Sequence, residues 1–316
     1  MENLERVGSQ RHDIAIAEQD NFRTAIDWAV DADIELAVGI AFSLENFWVT
    51  HDPQEGIRRF DRFLERSDDL PVELRAAANR CRGNVTMMVG DRPGGRVYYA
   101  AALASYGDAG DEVGALLMEH RLLVNEGLDD LEERRKGLEA LLVRFRELEL
   151  PSGEVQVLWA LAAVEWREGR LDRAVELLQA AAARAGSLGF AWTEQGVREA
   201  LARLSLELDR TDEARAEGLR ALDIARRAGD RLAMVSTLAL LAATAALRGE
   251  REHAGVLWGA IEAERERRPF SSWVLEDRSE VEMLLVLDDA EFVQGRERGH
   301  PLSLDEAVEY ALASID

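Results

Sequence analysis

The strongest constraint on the fold is a period. After a break at Gly169-Arg170-Leu171-Asp172 the chain resumes with Ala174, and the same small residue returns at Ala214 and Ala254, two steps of 40 residues. The loop glycines Gly189 and Gly229 keep that step, and Gly169 and Gly249 stand two steps apart. Between the breaks apolar residues follow helical spacing, so each unit reads as two amphipathic helices. A fixed period of this size, built from helix pairs, is the signature of a helical solenoid whose pairs bury their apolar faces on one another.

Composition agrees with helix throughout. Hydrophobic residues make up 47% of the chain and there are only 6 prolines in 316 residues, enough to fill a core without breaking helices. A chain of this length can hold two compact domains, but repeats pack only on their neighbours, so one continuous array is expected. Acidic residues outnumber basic ones 61 to 38, for a net charge of −23. That charge repels phosphate backbones and anionic bilayers, so neither direct nucleic-acid binding nor membrane association is expected. Cys81 is the only cysteine, which excludes an intramolecular disulfide or a cysteine zinc site and fits a reducing cytoplasm. The acidic start Met1-Glu2-Asn3-Leu4-Glu5 lacks the basic and apolar regions of a signal peptide. The longest uncharged run, 232–247, has 16 residues, against the roughly 20 that a spanning helix needs.

The breaks fall near 51, 90, 127, 169, 209 and 249. They predict an N-terminal helix within 1–32, six helical hairpins over 33–269 and a C-terminal helical cap over 270–316, together an all-α right-handed superhelical solenoid. Helices are expected at 13–31, 34–49, 54–64, 72–89, 97–106, 111–126, 129–148, 154–168, 172–185, 192–208, 212–228, 231–248 and 251–268, with shorter ones at 272–287, 289–295 and 304–313. Three glycines between Gly90 and Gly95 mark that turn as the least regular. Thr211-Asp212-Glu213 offers an N-cap, and Ser303 with Glu306 reads as a capping box. Leu161, Ala162, Leu171, Ala174, Leu201, Ala202, Ala214, Leu241, Ala242 and Ala254 are expected in the core.

Within a unit, Leu158, Leu161-Ala162, Gly169, Leu171 and Ala174 resemble the tetratricopeptide pattern. The period of 40 exceeds the usual 34 or so, which lengthens each helix by about one turn. More specifically, the chain looks like the helical-repeat region of bacterial signalling ATPases and of transcription regulators of the maltose-activator, LuxR and AfsR type. The segments that carry the resemblance are Asp20-Asn21-Phe22-Arg23-Thr24-Ala25-Ile26-Asp27-Trp28-Ala29, Ala254-Gly255-Val256-Leu257-Trp258-Gly259-Ala260-Ile261-Glu262-Ala263 and Pro301-Leu302-Ser303-Leu304-Asp305-Glu306-Ala307-Val308. The resemblance implies a sensor or partner-docking arm behind an upstream ATPase module. No phosphate-binding Gly-x-x-x-x-Gly-Lys-Ser/Thr loop is present, because the only lysine, Lys136, is followed by Gly137-Leu138. The chain is thus expected to be a piece of a longer protein or a detached relative, with a free-standing scaffold as the alternative.

No catalytic grouping appears, so neither enzymatic activity nor a cofactor is expected. His12, His51, His120, His253 and His300 are scattered without metal-ligand spacing and are expected at the surface or in turns. Asp129, Asp130, Glu132 and Glu133 suit a solvated helix start better than a cation site. Cys81 is expected as a small packed residue. The repeat register instead directs Arg80, Asn84, Met87, Arg121, Asn125, Trp159, Trp166, Arg167, Glu199 and Arg203 towards a concave groove suited to a protein or peptide, or to an anionic small molecule. Trp159 and Trp166, seven residues apart on one helix face, fit groove lining and inter-helix packing alike.

Overall fold

The structure, a computed structural model, describes residues 17–50, 52–125, 130–268, 286 and 288–313. Among the described residues there are sixteen α-helices, one short 3-10 turn at Ser67–Asp69, and no strand. None of these helices is long and apolar enough to cross a membrane. The chain divides into two compact units, one ending at Ala160 and the other beginning at Leu161.

The first unit holds α1 (Gln19–Ala32), α2 (Ile34–Ser43), α3 (Glu45–Thr50), α4 (Pro53–Leu64), α5 (Val72–Met88), α6 (Arg92–Asp108), α7 (Glu112–Val124), α8 (Leu131–Glu147) and the start of α9 (Pro151–Arg167). Ile26, Val38, Trp48, Phe60, Phe63 and Val85 pack together at its N-terminal end. The second unit continues with α10 (Leu171–Leu188), α11 (Ala191–Glu207), α12 (Thr211–Ala228), α13 (Arg231–Leu247), α14 (Arg251–Arg267), α15 (Ala290–Gly299) and α16 (Leu304–Ala313). Here Val235, Leu238, Leu257, Ile261, Phe292 and Val308 share one core. Of the ten residues expected to be buried, nine are; Leu171, at the first position of α10, is half-buried.

One turn design serves eight of the sixteen helix ends among the described residues. A residue with positive φ closes the helix at Gly90 and Gly110, and again at Glu149, Gly169, Gly189, Asp209, Gly229 and Gly249, each 20 residues after the last within its run. At Gly169 the turn residue's N–H reaches the Trp166 carbonyl (3.0 Å) and the next N–H, from Arg170, reaches that of Glu165 (2.9 Å). Gly229 and Asp230 repeat this with Arg226 and Ala225 at 3.1 and 3.0 Å, which satisfies carbonyls otherwise orphaned at a helix end. The 40-residue period is therefore two helix-plus-turn steps of equal length.

Several expectations change. The helix expected over 34–49 breaks at Leu44, because the Trp48 indole N–H donates to the Ala41 carbonyl at 2.9 Å and Leu44 takes the same carbonyl at 3.2 Å. That carbonyl is the one a continuous helix would offer to Glu45. The Gly90–Gly95 turn is as regular as the others. Asp91 caps α6 by accepting from Gly94 N–H at 2.9 Å, so the helix starts at Arg92 rather than Val97. Gly95 is there for packing, since a Cβ would stand 2.7 Å from the Met87 methyl. At α12 the closing bonds put Arg210 at the N-cap, and Thr211 is already helical. Ser303 and Glu306 do form the capping box, at 2.8 and 3.2 Å. The helices expected at 13–31 and 272–287 lie partly or almost wholly outside the described residues.

Candidate functional site

In the first unit, Arg80 and Asn84 lie one turn apart on α5 and meet Glu45 of α3. Arg80 Nη2 is 2.7 Å from one Glu45 oxygen, and Asn84 Nδ2 donates to the other at 2.5 Å. Tyr99 of α6 extends the chain of bonds, its hydroxyl donating to Asn84 Oδ1 at 2.6 Å. The Arg80 guanidinium also sits 4.7 Å from the Phe42 ring centroid, a cation–π distance. Burial pushes the Glu45 carboxyl up, but the Arg80 charge and hydrogen bonds from Arg80, Cys81 and Asn84 outweigh it and hold the group below the usual carboxylate range. Burial and the neighbouring Glu45 push the Cys81 thiol well above its ordinary value, so it stays a packed, protonated group.

The other residues assigned to this unit are more dispersed. Arg121 is half-buried on α7, where its charge opposes the upward effect of burial on Tyr99. Asn125 closes α7 by donating to the Arg121 carbonyl at 2.8 Å. Met87 lies against Gly95, and Trp159 is half-buried on α9.

In the second unit, Arg203 of α11 pairs with Glu199, one turn back, at 3.2 Å. The same carboxylate accepts from Ser236 Oγ of α13 at 2.5 Å and from Gln195 Nε2 at 3.0 Å. Gln195 also reaches Thr237 Oγ1 at 3.1 Å. Gln195, Glu199 and Arg203 thus form one stripe at four-residue spacing on α11, tied to the adjacent helix α13 through Ser236 and Thr237. Trp166 is half-buried and its indole N–H donates to Glu207. Arg167 is exposed. The structure therefore joins Arg203 to Glu199, Arg80 to Asn84 and Trp166 to Glu207. Sequence reasoning missed Glu45, Gln195 and Ser236; only Gln195 carried a signal, its spacing from Glu199 and Arg203.

The histidines need one correction. His120 was expected at the surface or in a turn but is 6% exposed within α7. Burial, then the Arg121 charge, lower its pKa to about 3, against a smaller opposing effect from the Gln156 backbone. An apolar helix face accommodates the neutral ring, and nothing in sequence spacing distinguishes that from exposure. His253 of α14 is half-buried and stacks on Tyr310 of α16 at 5.0 Å between ring centroids. His12 and His51 lie outside the described residues. No group of three or more His, Cys, Asp or Glu with metal-binding geometry occurs among the described residues. Asp130 instead caps α8, accepting from Glu133 N–H at 2.9 Å; Asp129 is not among the described residues.

Paired helices with these turns define a tetratricopeptide-like helical-repeat protein. Solved structures sharing the fold include NprR in complex with its cognate peptide NprX, 12% identical over 99% of this chain and 92% of that one, with a TM-score of 0.59. A Rap protein complexed with competence and sporulation factor is 14% identical over 96% of both chains, with a TM-score of 0.54. The apo form of the quorum sensor NprR from B. thuringiensis is 11% identical over 99% of this chain and 98% of that one, at 0.52. At these identities the likeness is one of fold. No family model matches the chain, and no curated protein matches its sequence.

Proposed function

We propose that the chain is a non-catalytic sensor and docking module for a peptide or protein segment, and that the α11–α13 face of the second unit takes that segment. The observation that carries the reading is the stripe of buried Gln195 and partly buried Glu199 and Arg203, linked to Ser236 on the neighbouring helix. An extended peptide offers alternating donors and acceptors, and a stripe holding a carboxylate, an amide, a hydroxyl and a guanidinium can answer both. Trp166 supplies a half-exposed aromatic surface, the residue type that most often anchors such contacts. Two proteins of the same fold were captured with a cognate peptide or a competence and sporulation factor, which supports the peptide class. An anionic small molecule fits less well, since Glu199 already matches the Arg203 charge.

The module reads best as the arm of a larger signalling ATPase or transcription regulator, on the three sequence segments quoted above. The alternative is a free-standing scaffold. An enzyme is the competing class, and the one pairing that invites it is Ser236 with Glu199. A carboxylate already engaged by Arg203 and Gln195 is a poor base for activating a hydroxyl. The experiment is to read the native frame upstream and to assay the intact protein. A Gly-x-x-x-x-Gly-Lys-Ser/Thr loop in that frame supports the arm. A true start at Met1 and a true stop after Asp316 in that frame support the scaffold, and hydrolytic turnover lost in Ser236→Ala would refute both.

A further inference from the structure

The first unit carries a basic cleft in a protein whose net charge is −23. α1 and α4 border an open space of about 480 Å³ lined by Arg58, Arg59 and Arg62, with Asp27 and Glu55 as its acids. Arg59 is fixed in place: its Nε donates to Glu55 Oε1 at 2.7 Å and its Nη1 to Asp27 Oδ1 at 2.9 Å. The second Glu55 oxygen is taken by Arg23 Nε at 2.8 Å. Arg62 is left 3.9 Å from Asp27, beyond hydrogen-bond reach, and its side chain is 51% exposed. Arg58 is exposed and forms no ion pair among the described residues. Two guanidinium forks one helical turn apart thus face the cleft with their hydrogen-bonding capacity uncommitted.

We propose that this cleft binds a phosphoryl group, held by Arg58 and Arg62 against the fixed wall of Arg59. Side chains four residues apart on a helix stand about 5–6 Å from each other at Cβ, close enough to converge on one tetrahedral group. Each guanidinium can donate two parallel hydrogen bonds to such a group. A dianion matches two guanidinium charges where a carboxylate matches one.

Calorimetric titration of the full chain at low ionic strength tests this, with inorganic phosphate, O-phosphoserine and acetate as the probes. Phosphate and phosphoserine are expected to saturate with Kd of about 1 mM, and acetate to bind about tenfold more weakly. Tighter binding of phosphoserine than of phosphate assigns the site to a phosphorylated side chain, and the reverse order to free phosphate. Arg58→Gln with Arg62→Gln is expected to weaken phosphate binding about tenfold. Arg58→Lys with Arg62→Lys retains the charge and is expected to weaken it less. Arg173→Gln with Arg220→Gln removes the same charge from exposed positions of the other unit and is expected to change nothing. Equal weakening by the two glutamine pairs, or acetate binding as tightly as phosphate, would overturn the proposal.

Discussion

Gly259 and Arg296 meet backbone to backbone: a Cβ on Gly259 would stand 2.2 Å from the Arg296 carbonyl oxygen. Gly255 is as close to Phe292, while Gly295 and Gly299 lie against Glu252 and Val256, so α14 and α15 run side by side in the same direction with almost nothing between them. Gly259→Ala is expected to cost about 3 kcal/mol, because the obstacle is backbone and cannot rotate away. The urea midpoint should fall at unchanged slope. Gly107→Ala, in α6, is the control: its Cβ would meet nothing within 4 Å, and stability should rise by up to about 1 kcal/mol.

Two turns use a residue ill-suited to their backbone. Glu149 and Asp209 hold φ of 53° and 57° where the corresponding turns have glycine. Glu149→Gly is expected to stabilise the chain by about 1 kcal/mol, and Asp209→Gly by less, because aspartate tolerates this region better. Thermal melting of the two variants checks the order.

The pH dependence follows from His120. Its folded pKa is about 3 against 6.5 unfolded, so below 6.5 the unfolded chain binds the proton and the folded one does not. The stability contribution is therefore complete above pH 6.5 and is lost as pH falls towards 3. His120→Leu should flatten this part of the acid limb, by up to about 1.4 kcal/mol per pH unit relative to the parent. Urea titrations of both proteins at pH 7 and pH 5, read as the change in their difference, measure it.

Leu241 of α13 is 5% exposed and covers Gly218 of α12, where a Cβ would lie 2.8 Å from its Cδ2. Leu241→Ala is expected to cost about 2–5 kcal/mol. A midpoint shift that is absent or small would show that α12 and α13 close over the gap.

The architecture was legible because the period is carried by small residues whose removal of bulk is a packing requirement: Ala174, Ala214 and Ala254 are all fully buried. The halving of that period was harder to see, since Glu149 and Asp209 occupy turn positions without being glycine. The break at Leu44 depends on a long-range choice, the Trp48 indole taking a backbone carbonyl seven residues away, which no local propensity encodes. Gly94 and Gly95 read locally as a loose turn but belong to a helix; Gly255 and Gly259 pack on the helix that carries Gly295 and Gly299, about 40 residues further along, a pairing that no local pattern encodes. Arg203 and Glu199 were both directed to one face by register alone, whereas Glu45 and Ser236 entered only with tertiary pairing.

The central claim is that the α11–α13 face docks a peptide segment. The direct measurement is to select peptides from a random library on the intact chain and compare their affinity for the parent and for Trp166→Leu with Arg203→Lys. That pair keeps the charge opposite Glu199 while removing the indole and the guanidinium fork. The expected result is a peptide consensus whose binding falls about tenfold or more in the variant at an unchanged melting temperature. Selected peptides that bind parent and variant equally, with both proteins folded, would contradict the account.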